Sequence, residues 1–457
     1  MQTVDTIIIG AGPGGAKAAQ LLAQGGRKVA LVEHTHMGGV CLNCGCIPTK
    51  MLLGAVAPKA LLRGLERQRV ARGEITVEYA ALQKRVQRFT TASSQTLAKN
   101  LTAAGVAVFN GRGECVGPTA VQVRDANGAV VEDLVGTHII LAGGSRPAAF
   151  PGLAPDHDAV LDSTDLLRVP EVPASLFIIG AGAIGLEMAD FFNAMGSTVT
   201  VVEAAPHIAP TEDADLAAEM HKLLQKSGIT CMAGVKAASL RTVNGQAELV
   251  LENGQSLTAA KALVAVGRTP NTDGLGAEAA GCTLDRRGFV QTDATLAASP
   301  TVYAIGDING RVLLAHAAEH QAAYVARRIL GQDNAPYAQG PVPACVYGGV
   351  EMMRVGKTAR QLQQEGIQPL VSRANLVGNA IAQAGGDPVG FVKIVWDGEQ
   401  MAGIAALGHG VSHLVTVAQL LLLGQFHGER LHQFMFAHPT LDEILSAALH
   451  APREAAN

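Results

Sequence analysis

The stretch "VDTIIIGAGPGGAKAAQLLAQGGRKVALVE", residues 4–33, decides the first fold unit of this 457-residue chain. Its apolar, β-branched start predicts a strand that runs into a glycine-rich turn and then into an Ala/Leu-rich helix. After the glycines at 25 and 26, "KVALVE" predicts a second strand that ends on an acidic residue. These segments therefore predict a strand–helix–strand unit with parallel strands.

The glycines of this turn have the spacing of a dinucleotide-binding loop. Gly10, Gly12 and Gly15 match GxGxxG, which lets the backbone approach a pyrophosphate at a helix N-terminus. The motif alone is weak in a chain with 52 glycines. The flanking strand and helix, and Glu33 at 23 positions after Gly10, favour a nucleotide site. Glu33 is expected to accept hydrogen bonds from the ribose hydroxyls of an adenosine.

The same pattern is repeated at residues 176–203, "LFIIGAGAIGLEMADFFNAMGSTVTVVE". Gly180, Gly182 and Gly185 reproduce the glycine spacing, and Glu203 again lies 23 positions after the first glycine. A carboxylate at this place accepts a hydrogen bond from the 2′-hydroxyl of NAD and repels the 2′-phosphate of NADP. The following residues, "AAPH", contain no arginine that could neutralise that phosphate. The repeat predicts a second dinucleotide site, with a preference for NAD.

Composition narrows the function classes. The net charge of −4, without a long basic or acidic run, disfavours nucleic acid and anionic membranes as partners. No uninterrupted apolar run approaches the roughly 20 residues of a membrane span. The N-terminus begins a strand almost at once, which leaves no room for a signal peptide, so a cytoplasmic location is expected.

Three cysteines are clustered in "GGVCLNCGCIPTK", residues 38–50. A zinc site would need four ligands, and no second Cys/His cluster follows at ligand spacing, so a redox-active pair is the favoured interpretation and no metal is expected. On a regular helix, residues three apart lie about 5–6 Å apart between Cβ atoms, which makes Cys41–Cys44 one possible pair. The isolated cysteines, Cys115, Cys231, Cys282 and Cys345, are expected to be ordinary buried thiols.

Near the C-terminus, "FAHPTLDE" places His438 five residues before Glu443. The carboxylate could fix the imidazole tautomer and raise its basicity, as a base that acts on thiols requires. Without other information a histidine before a proline is more often an ordinary surface or core residue. The residues by themselves therefore leave both interpretations of His438 open.

Several segments in a fixed order resemble one family across nearly the whole chain. They are "GAGPGG", "GGVCLNCGCIPTK", "GAGAIGLE", "VVEAAPHIAP", "VGRTPN", "YAIGD", "LLAHAAEHQA" and "HPTLDE". Together they resemble the flavin-dependent pyridine nucleotide-disulfide oxidoreductases, and in particular the members that oxidise dihydrolipoamide. The resemblance implies FAD and NAD as cofactors and a homodimer.

The resemblance also implies roles for individual residues. The redox disulfide is expected between Cys41 and Cys46, with Cys44 as a bystander. The acid–base dyad is expected to be His438 and Glu443, acting on the disulfide of the partner subunit. The remaining matches are Asp307 at the flavin ribityl chain, the ion pair Lys50–Glu187 beside the flavin, and Gly267 within "VGRTPN" at the cofactor site.

The expected architecture is α/β, with two Rossmann-like domains for FAD and NAD and a C-terminal α+β dimerisation domain. The expected boundaries are 1–148 for the FAD domain, 149–271 for the NAD domain, 272–340 for a segment completing the FAD site, and 341–457 for the dimerisation domain. Proline-rich stretches at 147–155 and 335–343 mark two of these boundaries.

The implied activity is oxidation of dihydrolipoamide, free or on a lipoyl protein, coupled to reduction of NAD. Two alternatives stay open: a related flavoprotein reductase with another substrate, and a flavoprotein that docks on a lipoyl protein without turnover. Some positions depart from the family pattern, namely Gly143 in "AGG", Gly348 in "YGGVEMMRVG", and Phe436 where lipoamide enzymes often carry histidine. His409 and His413 have no role that the sequence reveals.

Overall fold

The computed structural model describes residues 1–456, which divide into two compact units. Unit 1 comprises Met1–Pro48, Gln83–Ala148 and Gly267–Gln339. Unit 2 comprises Thr49–Leu82, Ala149–Val266 and Gly340–Asn457. The division into four functional segments stays a prediction.

Helices occur throughout both units. They are α1 (Pro13–Gln24), α2 (Gly39–Cys44), α3 (Cys46–Arg67), α4 (Tyr79–Ala103), α5 (Ser163–Leu166), α6 (Ala183–Ala194), α7 (Ala214–Lys226), α8 (Ala315–Ile329), α9 (Ala359–Gln364), α10 (Ala380–Ala384), α11 (Val415–Gly424) and α12 (Glu443–His450). Short 3-10 helices lie at Gly306–Asn309, Leu376–Gly378, Val411–Leu414 and Gly428–Gln433.

The strands up to residue 179 are β1 (Gln2–Ile9), β2 (Val29–Glu33), β3 (Ala107–Asn110), β4 (Arg112–Cys115), β5 (Ala120–Arg124), β6 (Val130–Leu141), β7 (Ser145–Pro147), β8 (Val160–Leu161) and β9 (Ser175–Ile179). Those that follow are β10 (Thr198–Glu203), β11 (Thr230–Ala233), β12 (Ala237–Val243), β13 (Gln246–Leu251), β14 (Ser256–Ala259), β15 (Lys261–Val264), β16 (Arg268–Pro270), β17 (Ala297–Ser299) and β18 (Val302–Ala304). The last strands are β19 (Pro343–Val346), β20 (Glu351–Gly356), β21 (Leu370–Asn375), β22 (Phe391–Asp397), β23 (Gln400–Gly408) and β24 (Glu454–Ala455).

Unit 1 is built on a sheet with the order β17-β18-β6-β1-β2-β3. The strands from β18 to β3 are mutually parallel, and β1 pairs with both β2 and β6. Parallel strands are buried on both faces, which explains the continuous isoleucine run Ile7–Ile9 in the middle of the sheet. Helix α1 packs on α8, where Gly14 lies close to Ala318. The predicted strand–helix–strand unit at residues 4–33 is confirmed.

Unit 2 contains a second parallel sheet, with the order β11-β10-β9-β15-β8. The predicted repeat is present as β9, α6 and β10, with β9 and β10 paired in parallel. The same unit holds an antiparallel sheet with the order β19-β20-β23-β22-β21-β24. Its core includes the fully buried Trp396, whose indole N–H donates to Ser372 Oγ at 2.9 Å. The predicted C-terminal α+β region is therefore present.

The helical segment Gly39–Arg67, which comprises α2 and α3, is long and apolar enough by length and composition to cross a membrane. No apolar stretch of this length was expected from the sequence. A core helix of a soluble protein passes the same test. Within unit 2, Lys50 of this run pairs with the buried Glu187, and Lys59 Nζ donates to the Ala194 carbonyl at 2.9 Å. These contacts explain the run as a helix that packs against the protein.

Gly185→Ala should destabilise unit 2, because a Cβ at this position would lie 2.0 Å from the Gly180 carbonyl oxygen. Overpacking of this kind costs about 1–3 kcal/mol in the free energy of unfolding. Gly182→Ala is the matched control, since a Cβ there meets no atom within 4 Å. Urea unfolding without added nucleotide should separate the two variants, and equal losses would contradict the steric account.

Candidate functional site

The first glycine turn has two glycines that the backbone itself requires. Gly10 has a φ of +100°, and a Cβ on it would lie 2.4 Å from the Ala142 carbonyl oxygen. A Cβ on Gly15 would lie 1.9 Å from the Gly10 carbonyl oxygen, where α1 closes onto β1. Gly12 has an ordinary φ of −64° and open space where a Cβ would stand. The space beside Gly12 is therefore open, as close approach of a pyrophosphate to the backbone would require.

Glu33 holds this turn in place. Its Oε2 accepts a hydrogen bond from the Ala11 N–H at 2.7 Å, and the residue is buried. Its Oε1 accepts from the Thr35 N–H at 2.8 Å and from Thr35 Oγ1 at 2.9 Å. The carboxylate that the sequence assigned to a ribose thus also orders the loop, which the spacing alone did not reveal.

The second glycine turn repeats these contacts. A Cβ on Gly180 would lie 2.5 Å from the Ala265 carbonyl oxygen, whereas Gly182 again has open space and a φ of −76°. Glu203 Oε2 accepts from the Ala181 N–H at 2.7 Å, and Oε1 accepts from the Ala205 N–H at 2.8 Å. The two turns therefore share the same glutamate contact and the same open space beside their second glycine.

The cysteine segment lies against the first glycine turn. The Gly38 N–H donates to the Ala11 carbonyl at 2.8 Å, and a Cβ on Gly39 would lie 2.8 Å from Gly12 Cα. The Asn43 amide nitrogen donates to the Met37 and Gly39 carbonyls at 3.0 and 2.8 Å and so fixes the start of α2. These packing contacts join the two motifs into one site, and Asn43 was not recognised in the sequence.

The helix that carries the cysteines is broken at Gly45. Cys41 and Cys44 belong to α2, which ends at Cys44, and Cys46 begins α3. Gly45 has φ −148° and ψ −111°, far from helical values. Cys41 and Cys44 are half-buried and Cys46 is exposed. Distances on a regular helix therefore do not apply across residues 44–46.

Asp307 lies in a small polar cluster of unit 1. Its Oδ2 accepts from Ser145 Oγ at 2.5 Å, and the Arg268 guanidinium lies 3.7 Å away. Arg268 donates to Ser145 Oγ at 2.6 Å and to the Ser145 carbonyl at 2.7 Å. Gly267, which precedes Arg268, accepts from the Ala148 N–H at 3.0 Å and has a φ of +139°. Ser145 was missed because it lies 162 positions before Asp307 and belongs to no motif.

Lys50 and Glu187 form a close ion pair in unit 2. The Lys50 ammonium donates to both Glu187 oxygens, at 2.6 and 2.8 Å. The Glu187 side chain is 5% exposed and that of Lys50 is 36% exposed. Burial raises the pKa of Glu187, and the nearby Lys50 ammonium opposes that rise. Removal of Lys50 would leave a buried carboxylate uncompensated, so the pair acts as one element.

His438 and Glu443 also meet. His438 Nδ1 lies 2.9 Å from Glu443 Oε1, and the His438 side chain is 76% exposed. Glu443 Oε2 accepts from the Thr440 N–H at 2.9 Å. The Thr440 N–H and then the imidazole hold the pKa of Glu443 below its usual value.

The remaining candidates have ordinary surroundings. Cys115 and Cys282 are buried, as expected, whereas Cys231 and Cys345 are half-buried. Burial raises the pKa of Cys115 to about 12 and that of Cys231 to about 11, so these are poor nucleophiles. His409 Nε2 lies 3.5 Å from Asp387 Oδ2. His413 is exposed.

Among residues 1–456, one group could bring three metal ligands within 4.8 Å: His157, Asp162 and Asp165. These side chains already serve the fold. Asp162 caps α5 through the Thr164 and Asp165 N–H groups, and His157 Nδ1 lies 2.8 Å from Asp165 Oδ2. The cluster gives no reason to assign a metal.

Comparison with known proteins places this site in a family. Residues 4–322 match the model of the pyridine nucleotide-disulphide oxidoreductases, and residues 342–449 match the dimerisation domain of that family. The dihydrolipoyl dehydrogenase of Chlorobaculum tepidum is 37% identical, over 97% of this chain and 96% of its own length. That of Thermus scotoductus is 36% identical, over 99% and 98%.

Solved structures agree with this assignment. LpdA from Mycobacterium tuberculosis superposes with a TM-score of 0.89 at 25% identity, over 98% of this chain and 99% of that chain. The HOCl-induced flavoprotein disulfide reductase RclA from Escherichia coli has a TM-score of 0.84 at 25% identity, over 97% and 99%. The predicted α/β architecture and the family resemblance are confirmed. The chain therefore belongs to the pyridine nucleotide-disulphide oxidoreductase family, whose enzymes use FAD and NAD, and it carries that family's dimerisation domain.

Proposed function

We propose that this enzyme oxidises dihydrolipoamide, free or carried on a lipoyl protein, and transfers the electrons to NAD. The observation that carries the proposal is the exposed His438 imidazole held 2.9 Å from Glu443. A base for a thiol must be reachable by the substrate and fixed in one tautomer, and this dyad meets both conditions. The names of the full-length relatives from Chlorobaculum tepidum and Thermus scotoductus support the choice of substrate.

The redox disulfide of the proposal joins Cys41 and Cys46. The helix break at Gly45 removes the distance objection to this pair, because Cys41 and Cys46 do not lie on one regular helix. Cys41 and Cys44 both lie within α2, so Cys41–Cys44 remains the alternative. The contact of the cysteine segment with Gly12 supports a place beside the first dinucleotide site.

In the proposed reaction, His438 accepts a proton from one thiol of dihydrolipoamide. The resulting thiolate attacks Cys41 Sγ, the Cys41–Cys46 bond breaks, and its electron pair leaves with Cys46 as a thiolate. The second substrate thiol attacks the substrate sulfur of the mixed disulfide, and its proton passes to the departing Cys41 sulfur. Oxidised lipoamide leaves, and the two electrons remain on the cysteine pair, with Cys41 as a thiol, Cys46 as a thiolate and the first proton on His438.

The two glycine turns would hold the cofactors. The turn of Gly10, Gly12 and Gly15 with Glu33 would bind the adenosine pyrophosphate of FAD, Asp307 its ribityl chain, and the strand around Gly267 would complete that site. The second turn with Glu203 would bind NAD, and Lys50–Glu187 would lie beside the flavin. When bound, FAD would supply the two-electron redox chemistry that links the cysteine pair to NAD. The protein supplies placement and electrostatics.

A second candidate is reduction or oxidation of a different disulfide. Phe436 occupies the position where lipoamide enzymes often carry histidine, and its ring packs on Phe434 with centroids 5.2 Å apart. A phenyl ring at this position cannot form the hydrogen bonds that an imidazole would offer. The structural similarity to a flavoprotein disulfide reductase from Escherichia coli favours this candidate over a protein without turnover.

The purified, FAD-loaded enzyme should form NADH from dihydrolipoamide and NAD in steady state, with ping-pong kinetics. NADP should give a far lower kcat/KM, because the Glu203 carboxylate would meet its 2′-phosphate. Spectrophotometry at matched concentrations of the two nucleotides measures both points. Turnover with other disulfides but none with dihydrolipoamide or lipoyl domains would support the second candidate.

Cys44→Ser should retain both activity and the disulfide, whereas Cys41→Ser and Cys46→Ser should each lose both. Peptide mapping by mass spectrometry of the oxidised proteins locates the bond directly. The opposite result, with Cys44→Ser losing the bond and Cys46→Ser keeping it, would establish Cys41–Cys44 as the pair.

His438 is proposed to act on the disulfide of the partner subunit, which a mixture of two inactive variants can test. Unfolding and reassembling Cys46→Ser with His438→Ala at equal ratio should make about half of the dimers mixed. Each mixed dimer would have one site with both lesions and one intact site, so about a quarter of wild-type activity should return.

If His438 acts within its own chain, every site in the mixed dimers keeps one lesion. Activity would then stay at the background of the separate variants. Native mass spectrometry confirms that mixed dimers have formed, so a failure of reassembly is not mistaken for action within one chain.

A further inference from the structure

The loop at Tyr347–Gly349, which departs from the family pattern, lies on one face of α6. The Tyr347 N–H donates to Glu187 Oε1 at 3.2 Å, and the Gly349 N–H donates to Asp190 Oδ2 at 2.8 Å. Glu187 and Asp190 are three residues apart on α6, so their side chains project on the same side. Two successive carboxylates of one helix therefore bind two backbone N–H groups of one loop.

The Asp190 carboxylate lies close to both glycines of this loop. A Cβ on Gly348 would lie 3.1 Å from Asp190 Oδ2, and a Cβ on Gly349 would lie 3.4 Å from Asp190 Oδ1 and 3.2 Å from Ala60 Cβ. Side chains at 348 and 349 would press on the carboxylate that binds the loop. The departure at Gly348 is thus matched by the acidic residue at position 190.

The loop places the Tyr347 ring on the Lys50 ammonium. Lys50 Nζ lies 4.6 Å from the centroid of the ring, within the range of a cation–π contact. The same ammonium donates to both Glu187 oxygens. Lys50 is thus held by a carboxylate and by an aromatic face.

We propose that Tyr347 is a positioning residue, whose ring fixes the Lys50 ammonium on Glu187 and thereby fixes the positive charge that Lys50 presents to the flavin. The proposal rests on the function proposed above, which puts FAD beside this ion pair. Lys50 is a flexible side chain that is partly open to solvent, whereas Glu187 is buried. Without the ring, Lys50 gains freedom to turn toward water, and its electrostatic effect on a nearby group falls with distance.

The position of Lys50 should affect the reduction potential of the flavin. A fixed cation stabilises the electron-rich reduced flavin more than the oxidised flavin, and so makes the flavin easier to reduce. Tyr347 lies within the region that matches the dimerisation domain, and Glu187 lies within the region that matches the oxidoreductase model. A residue of the dimerisation domain would therefore tune the redox chemistry.

The test compares Tyr347→Leu with Tyr347→Phe in the FAD-loaded enzyme. Leucine keeps the backbone N–H bond to Glu187 and removes the ring, whereas phenylalanine keeps the ring and removes only the hydroxyl. The two-electron reduction potential of the flavin, measured against reference dyes, should fall in Tyr347→Leu. The expected change is about tenfold in the ratio of reduced to oxidised flavin, or about 30 mV for a two-electron couple. Tyr347→Phe should match the wild type.

A double-mutant cycle with Lys50→Met shows whether the effect passes through Lys50. Lys50→Met should itself lower the potential, and Tyr347→Leu should add nothing in that background. Asp190→Leu, which loses the bond to the Gly349 N–H, should shift the potential in the same direction as Tyr347→Leu, whereas Asp190→Asn, which can still accept it, should have a smaller effect.

The results distinguish the positioning role of Tyr347 from the proposed place of Lys50 beside the flavin. If Lys50→Met lowers the potential but Tyr347→Leu does not, the positioning role of Tyr347 is wrong while the proposed place of Lys50 stands. An equal shift from Tyr347→Leu with and without Lys50 also overturns the positioning role. If Lys50→Met leaves the potential unchanged in a protein that binds FAD, the proposed place of the ion pair is wrong, and the inference falls with it.

Discussion

The closure of each glycine turn onto its strand is the constraint on which the rest of the structure depends. Gly15 lets α1 approach so closely that a Cβ would lie 1.9 Å from the Gly10 carbonyl oxygen, and Gly185 does the same for α6 at 2.0 Å. This contact points the first N–H groups of each helix into the turn, where anions bind. Glu33 and Glu203 then hold the turns through the Ala11 and Ala181 N–H groups.

The two open glycines carry information of a different kind. Gly12 and Gly182 have ordinary backbone conformations and no neighbour that a Cβ would meet. Packing within residues 1–456 does not require glycine at these places, and the open space fits the ligand sites proposed for both turns. The structure therefore separates the glycines that the backbone of the turn requires from the glycine that lies beside open space. The GxGxxG motif by itself does not separate them.

The sequence predicted those parts of the site in which spacing is local. Both glycine turns and the His438–Glu443 pair follow from neighbours within 23 positions, and the structure brings each set together. The Lys50–Glu187 pair spans 137 positions and was expected only through the family resemblance. Ser145 and Tyr347 were missed, because their contacts arise where distant strands and loops meet. The helix break at Gly45 was also not predicted, because the helical periodicity of the sequence does not reveal it.

The two acid–base pairs differ in exposure, and the difference fits the work proposed for each. His438 is 76% exposed, and among the described residues the hydrogen bonds to Glu443 come from His438 and Thr440, so this dyad lies within residues 438–443. Such a self-contained group can serve a disulfide contributed by another subunit. Glu187 is buried and held by Lys50 and the Tyr347 N–H. Burial disfavours the Glu187 charge, and the Lys50 ammonium and the Tyr347 N–H compensate for it. A base that exchanges protons with a substrate must instead remain open to that substrate.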